Sequence, residues 1–168
     1  MMEQRPLWDL FVTYVGRNYM RILNLTGEHV MISLVAVGIT VIVCVPLGIY
    51  LTRNEKAAPY IIGLANVFQT IPSLALLGFL IFVFGIGNDN AICALFLYAM
   101  LPVIQNTYTG IRSVPKSYVQ AARGMGMTDF QILTKVQLPL ARPVLVAGIR
   151  VAMVWTIGTA TLASAIGG

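Results

Sequence analysis

The sequence predicts an all-α fold, a polytopic bundle of membrane-spanning helices with about four spans, and three observations carry that reading. Of 168 residues, 58% are apolar and only 10% are charged, against roughly 25% charged in soluble domains, and the mean hydropathy is +0.82. Apolar runs long enough to cross a hydrocarbon core about 30 Å thick recur along the chain. Within such a core a segment must satisfy its own backbone hydrogen bonds, so each run is a helix. The eleven Lys and Arg outnumber six Asp and Glu, for a formal charge of +5. They sit mostly in short segments between the runs, which suits loops facing the cytoplasm and not a nucleic-acid surface. The cysteines, Cys44 and Cys93, lie inside apolar runs in a chain with no cleavable signal peptide, so they read as small buried apolar residues and not as a disulfide.

Taken in order, residues 1–28 read as an N-terminal interfacial segment. Trp8, Phe11, Val12, Val15, Tyr19 and Ile22 are broken by Asp9, Arg17 and Arg21, a pattern for an amphipathic helix at the membrane surface and not for a span. The transmembrane domain occupies 29–168. Its first span covers 30–51 without a charge. The second, 60–86, is interrupted by Gln69, Thr70, Pro72 and Ser73, and is expected to be broken or kinked. The third runs over about 90–108 with Pro102 inside it, and the fourth over about 139–166. Arg53 and Lys56 between spans one and two, and Arg112, Lys116, Arg123 and Lys135 between spans three and four, place both loops in the cytoplasm. Arg5, Arg17 and Arg21 weigh mildly against the resulting outside N-terminus.

The loop over about 111–138 is patterned. Pro115 suits the first turn of a helix running through Lys116 to about Arg123, and Gly124 and Gly126 permit the positive φ that ends it. Thr128 and Gln131 fit a capping box for a second short helix, and Pro139 closes the loop. Two short helices joined by a glycine turn make a knob with a shallow surface of Tyr118, Ala121, Ala122, Met125 and Met127.

These residues also carry a resemblance. Gln120-Ala121-Ala122, then Gly126, then Val136-Gln137-Leu138-Pro139 resembles the EAA loop of bacterial ABC importer permeases: Glu-Ala-Ala, a Gly four positions after the second Ala, then an aliphatic residue, one residue and Leu-Pro. Gln120 in place of the usual Glu is the one departure, and it removes a charge. The segments 69–75, 101–108, 124–128 and 147–150 resemble the branch of the family that imports glycine betaine, carnitine or choline. The resemblance covers roughly 29–168. It implies the type I importer permease fold, with a fifth span following Gly168, in the bacterial cytoplasmic membrane. It also implies that Tyr118, Gln120, Ala121, Ala122, Gly124, Gly126, Thr128, Leu138 and Pro139 form or frame a coupling helix held by a cytoplasmic ATPase. The implied partners are two ATPase subunits, a second permease subunit, identical or related, and an extracellular substrate-binding protein. A methionine or other amino-acid importer shares the EAA loop and stands as the alternative.

No catalytic residue is expected. The chain has no phosphate-binding Gly-x-x-x-x-Gly-Lys-Ser/Thr sequence, so ATP and Mg are expected to belong to the partner ATPase, with no cofactor bound here. The single histidine, His29, stands without a ligand pattern and reads as an interfacial residue; no metal site is expected. Polar residues within spans turn away from lipid, which makes Gln69, Thr70, Pro72, Ser73, Asn106 and Arg150 the candidate translocation pathway. Arg150 lies about 18 Å along the fourth helix from Leu138. It reads either as an interhelical clamp or as a partner for a substrate carboxylate. Gly148, Ala152, Gly158, Ala160, Ala163 and Ser164 offer small surfaces for close helix approach.

Overall fold

The structure, a computed structural model, describes residues 6–163. Among them there are helices and no strands. Helix α1 spans Leu7–Arg53, α2 Ala58–Thr70, α3 Ser73–Phe84 and α4 Asn88–Arg112. Helix α5 spans Lys116–Gly124 and α6 Asp129–Ile132; a π-helical turn, Leu133–Gln137, leads into α7, Leu138–Ala163. Helices α1, α4 and α7 are each long and apolar enough to cross a membrane, and α2 with α3 makes a fourth crossing if the bent pair is one span.

The first element differs from expectation at its start. The proposed division at residue 28 is not a helix boundary, because α1 continues without a break for 47 residues, about 70 Å. Neither Gly16 nor Gly27 interrupts it, and Pro6 sits just ahead of it, where its lack of an N–H is harmless. Among the described residues none before Ile32 is buried, so α1 up to about residue 27 stands clear of the bundle. Burial then falls on Ile32, Ser33, Ala36, Val37, Thr40, Cys44, Gly48 and Leu51, one stripe at helical spacing.

The expected interruption of the second span is real: α2 and α3 meet at 102° across Ile71 and Pro72. Pro72 disfavours helical backbone at the residue before it, and Ile71 is extended, with φ −73° and ψ 130°. The turn from α3 to α4 uses Gly85 at φ +75°, a conformation that side chains resist.

Helix α4 is the centre of the bundle, packed against α1 on one side and α7 on the other. Glycine sets how closely they approach. A Cβ at Gly48 would lie 2.7 Å from Thr107 Cβ, and one at Gly148 would lie 2.5 Å from Asn106 Cβ and 2.7 Å from the Pro102 carbonyl oxygen. Of the small residues expected to pack on the last span, Gly148, Ala152, Ala160 and Ala163 are buried. Gly158 instead is exposed, and Ser164 lies outside the described residues.

The second short helix of the knob is also more continuous than expected. Pro139 does not end it. The chain widens into the π turn, in which Leu138 donates to the Leu133 carbonyl, and then runs on as α7. This wider turn accommodates the missing N–H of Pro139 without a break.

Candidate functional site: a coupling knob and a broken span

Helix α5 begins after Pro115 and ends in a Schellman motif. The Met127 N–H donates to the Ala122 carbonyl (3.2 Å) and the Gly126 N–H to the Arg123 carbonyl (3.0 Å), with Gly126 at φ +79°. Gly126 is thus the residue whose backbone the turn requires. Gly124 is not: it remains inside the helix, without a positive φ. Thr128 then opens α6 through a reciprocal capping box, its N–H donating to Gln131 Oε1 (2.9 Å) and its Oγ1 accepting from the Gln131 N–H (3.3 Å). Sequence reasoning missed the ion pair that braces the two helices, Arg123 to Asp129 at 2.8 Å. The signal was available, since a basic last turn facing an acidic first turn across a tight bend favours both helix dipoles.

The knob's surface is not quite the expected one. Ala122 is 1% exposed and packs inward, and Met127 is only partly exposed. Its outer apolar side chains are Tyr118 at 55%, Met125 at 74% and Phe130 at 73% exposure, with Ala121 and Gln120 also exposed. Phe130 was not anticipated, because the capping-box pattern drew attention to its neighbours. At the base, Ile111, Val114 and Ala141 form a buried cluster with Leu133 and Leu138 against it. Leu138 therefore ties the knob to the ends of α4 and α7, while Pro139 beside it is exposed.

At the broken span the polar residues have specific partners. Pro102 has no N–H, so the Tyr98 carbonyl one turn earlier in α4 loses its helical donor; Gln69 Nε2 donates to that oxygen at 2.8 Å. In return, the Tyr98 hydroxyl donates to the Ile71 carbonyl, at the break itself. The break ahead of α3 and the proline turn of α4 are thus joined by one reciprocal latch, and Tyr98, 8% exposed, is its hub. The position could have been found by counting four residues back from Pro102. Thr70 Oγ1 donates within its own helix to Val67 at 2.7 Å; Pro72 is exposed and Ser73 half-buried.

The remaining pathway candidates are not gathered at the break. Asn106 lies eight residues beyond Tyr98, about 12 Å along α4. It is half-buried where α4 meets Gly148, and its Nδ2 donates back to the Pro102 carbonyl at 2.8 Å. Arg150 is two positions past Gly148, about 200° round the helix, so it leaves the face that meets Asn106. It is exposed and makes no hydrogen bond or ion pair among the described residues. Among the described residues, therefore, Arg150 forms no interhelical clamp. His29 does link two spans: its Nε2 lies 3.1 Å from the Ile157 carbonyl of α7. No group of three or more metal-ligating side chains occurs among the described residues.

A bundle of long apolar helices with a broken second span, carrying at one end a capped knob with an apolar tip, is the architecture of a polytopic membrane protein. The chain belongs to the family of binding-protein-dependent transport system inner membrane components, whose model matches residues 44–168. It is 48% identical over 157 residues to the glycine betaine/carnitine/choline transport system permease protein OpuCB of Bacillus subtilis, covering 94% of this chain and 72% of that one. It is 50% identical, with the same coverage, to the choline transport system permease protein OpuBB of that organism. Among solved structures, the MetNI methionine ABC transporter in an inward-facing conformation matches with a TM-score of 0.72 at 25% identity, over 84% of this chain and 72% of that chain. The expected type I importer fold and the inner-membrane location therefore both hold.

Proposed function

We propose that the chain is the permease subunit of an ATP-driven importer of quaternary ammonium osmoprotectants: glycine betaine, carnitine or choline. The observation that carries this reading is the identity of 48% and 50% to permeases of those compounds across nearly the whole chain. The methionine alternative rests on a structural neighbour at 25% identity, which speaks to the fold and less to the cargo.

In this reading the knob is the coupling element. Two ATPase subunits hold the knobs of two permeases, identical or related, and a loaded binding protein docks on the opposite face of the membrane. ATP and Mg are bound by the ATPases, and this chain contributes no cofactor. The rigidity of the knob supports the role: a Schellman turn, a capping box and the Arg123–Asp129 pair hold α5 and α6 at a fixed angle, so a push on α5 passes through the π turn into α7. Tyr118, Ala121, Met125 and Phe130 form the face offered to the ATPase, with Gln120 at its edge. Ala122, Gly126, Thr128, Leu138 and Pro139 shape the knob and do not contact the partner. Closing of the ATPases on ATP drives the knobs together and opens the pathway outward; hydrolysis resets it.

The pathway follows the break between α2 and α3, with Thr70, Pro72 and Ser73 on its surface and the Gln69–Tyr98 latch holding its shape. Arg150, exposed on the bundle's flank, meets either the second permease or the aqueous pathway, because a bare cation at mid-membrane costs about 2.5 to 3.5 kcal/mol even on the lenient scale. The test is uptake of labelled glycine betaine, carnitine, choline and methionine by cells with and without this subunit, at low and high salt. Loss of salt-stimulated uptake of a quaternary ammonium compound supports the reading, whereas loss of methionine uptake alone contradicts it.

A further inference from the structure

A cleft of about 350 Å³ lies where the last turns of α1 and α4 meet the knob. Its charged lining is Arg53, Arg112 and Lys116 against a single carboxylate, Glu55, and Gln120 and Gln137 supply amides. Arg112 and Glu55 pair with each other at 2.9 Å, and Arg112 also donates to the Tyr108 hydroxyl at 2.8 Å. That leaves Arg53 and Lys116, neither of which has a hydrogen bond or ion pair among the described residues.

The residue at position 120 decides the sign of this cleft. A glutamate there, as in the motif this loop otherwise follows, would place a second carboxylate among the three cations. Gln120 keeps the size and removes the charge, so the lining stays two charges positive. Two unpaired cations close together repel each other, and an anion between them relieves the repulsion. Guanidinium and ammonium groups both favour phosphate oxygens.

We infer that the cleft formed by Arg53, Lys116 and Gln120 binds a phosphate ester, and that the bound anion braces the knob against α1 and α4. The last turns of two spans place it at head-group depth, so the same chemistry is available from a soluble glycerol phosphate or from the head group of a phosphatidylglycerol.

The full chain is tested in two arms. In detergent, sn-glycerol 3-phosphate is titrated and binding is read by calorimetry. In nanodiscs of phosphatidylcholine with a small fraction of phosphatidylglycerol, retained anionic lipid is counted by native mass spectrometry. One saturable site per chain is expected in at least one arm, weakening as salt is raised; the arm that saturates identifies the source. Gln120→Glu, nearly isosteric, should lower the affinity at least roughly tenfold, because one like charge beside the anion costs between the bulk-water and the protein-surface Coulomb energies. Lys116→Gln should do the same, and Lys135→Gln, on the same loop but outside the cleft, should leave binding unchanged. Absence of saturable binding in both arms, or wild-type affinity in both Gln120→Glu and Lys116→Gln, overturns the inference.

Discussion

At the scale of single residues, the close approach of helices at glycine makes the sharpest energetic statement. Gly148→Ala puts a methyl group against the backbone oxygen of Pro102, which cannot move aside as a flexible side chain would. It should destabilise the bundle by about 1 to 3 kcal/mol, the usual range for overpacking. Gly38→Ala, whose Cβ meets nothing within 4 Å, should be neutral or slightly stabilising, since alanine is the better helix former. Thermal unfolding of the two variants in detergent compares them directly. At the broken span, Gln69→Leu strands the Tyr98 carbonyl and Tyr98→Phe strands that of Ile71; each should cost about 1 to 3 kcal/mol. Because they act on one latch, the double variant should lose less than the sum, measured by the same unfolding assay. Arg150 separates two roles. If it meets substrate, Arg150→Gln should impair uptake of glycine betaine and carnitine, which carry a carboxylate, more than uptake of choline, which does not. Equal loss for all three assigns it to the subunit interface.

At the scale of elements, the knob yields a prediction that the sequence alone would have aimed at the wrong residue. Ala122 lies in the motif beside Ala121 and looks equally available, yet it is 1% exposed. Ala122→Glu should therefore unfold the knob, whereas Ala121→Glu should leave it folded and block only the ATPase. Copurification of the ATPase is lost in both, while protection of the knob from limited proteolysis is lost only in the first. Gly126→Pro, which cannot adopt φ +79°, should behave like Ala122→Glu. Much of this element was legible: Pro115, Gly126, Thr128 and Gln131 each dictate local backbone geometry that depends on their neighbours alone. What was not legible depended on packing. Burial of Ala122 and the choice of Gln69 and Ile71 as partners of Tyr98 arise from helices distant in sequence. The uninterrupted α1 was missed for a different reason: Asp9, Arg17 and Arg21 argue against a membrane span, but not against a helix, and no Pro or cap stops it between Leu7 and Ile32.

At the scale of the whole molecule, the architecture combines a closely packed trio of helices with a bent pair attached to it. Helices α1, α4 and α7 pack at close range at Gly48, Gly110 and Gly148. The bent pair α2–α3 is held to that trio largely through α4, with the Tyr98 latch at its corner. Motion received at the knob is thus expected to appear at the break as a change in the α2–α3 angle. The central claim is that this permease couples ATP hydrolysis to movement of a quaternary ammonium compound. It is tested most directly by ATP-driven accumulation of labelled glycine betaine, carnitine and choline in proteoliposomes holding the complete importer, with Ala121→Glu permease as control. Accumulation of at least one of the three is expected with the native chain, and none with the variant. Accumulation of methionine alone, or accumulation of an osmoprotectant that persists with the variant, would contradict it.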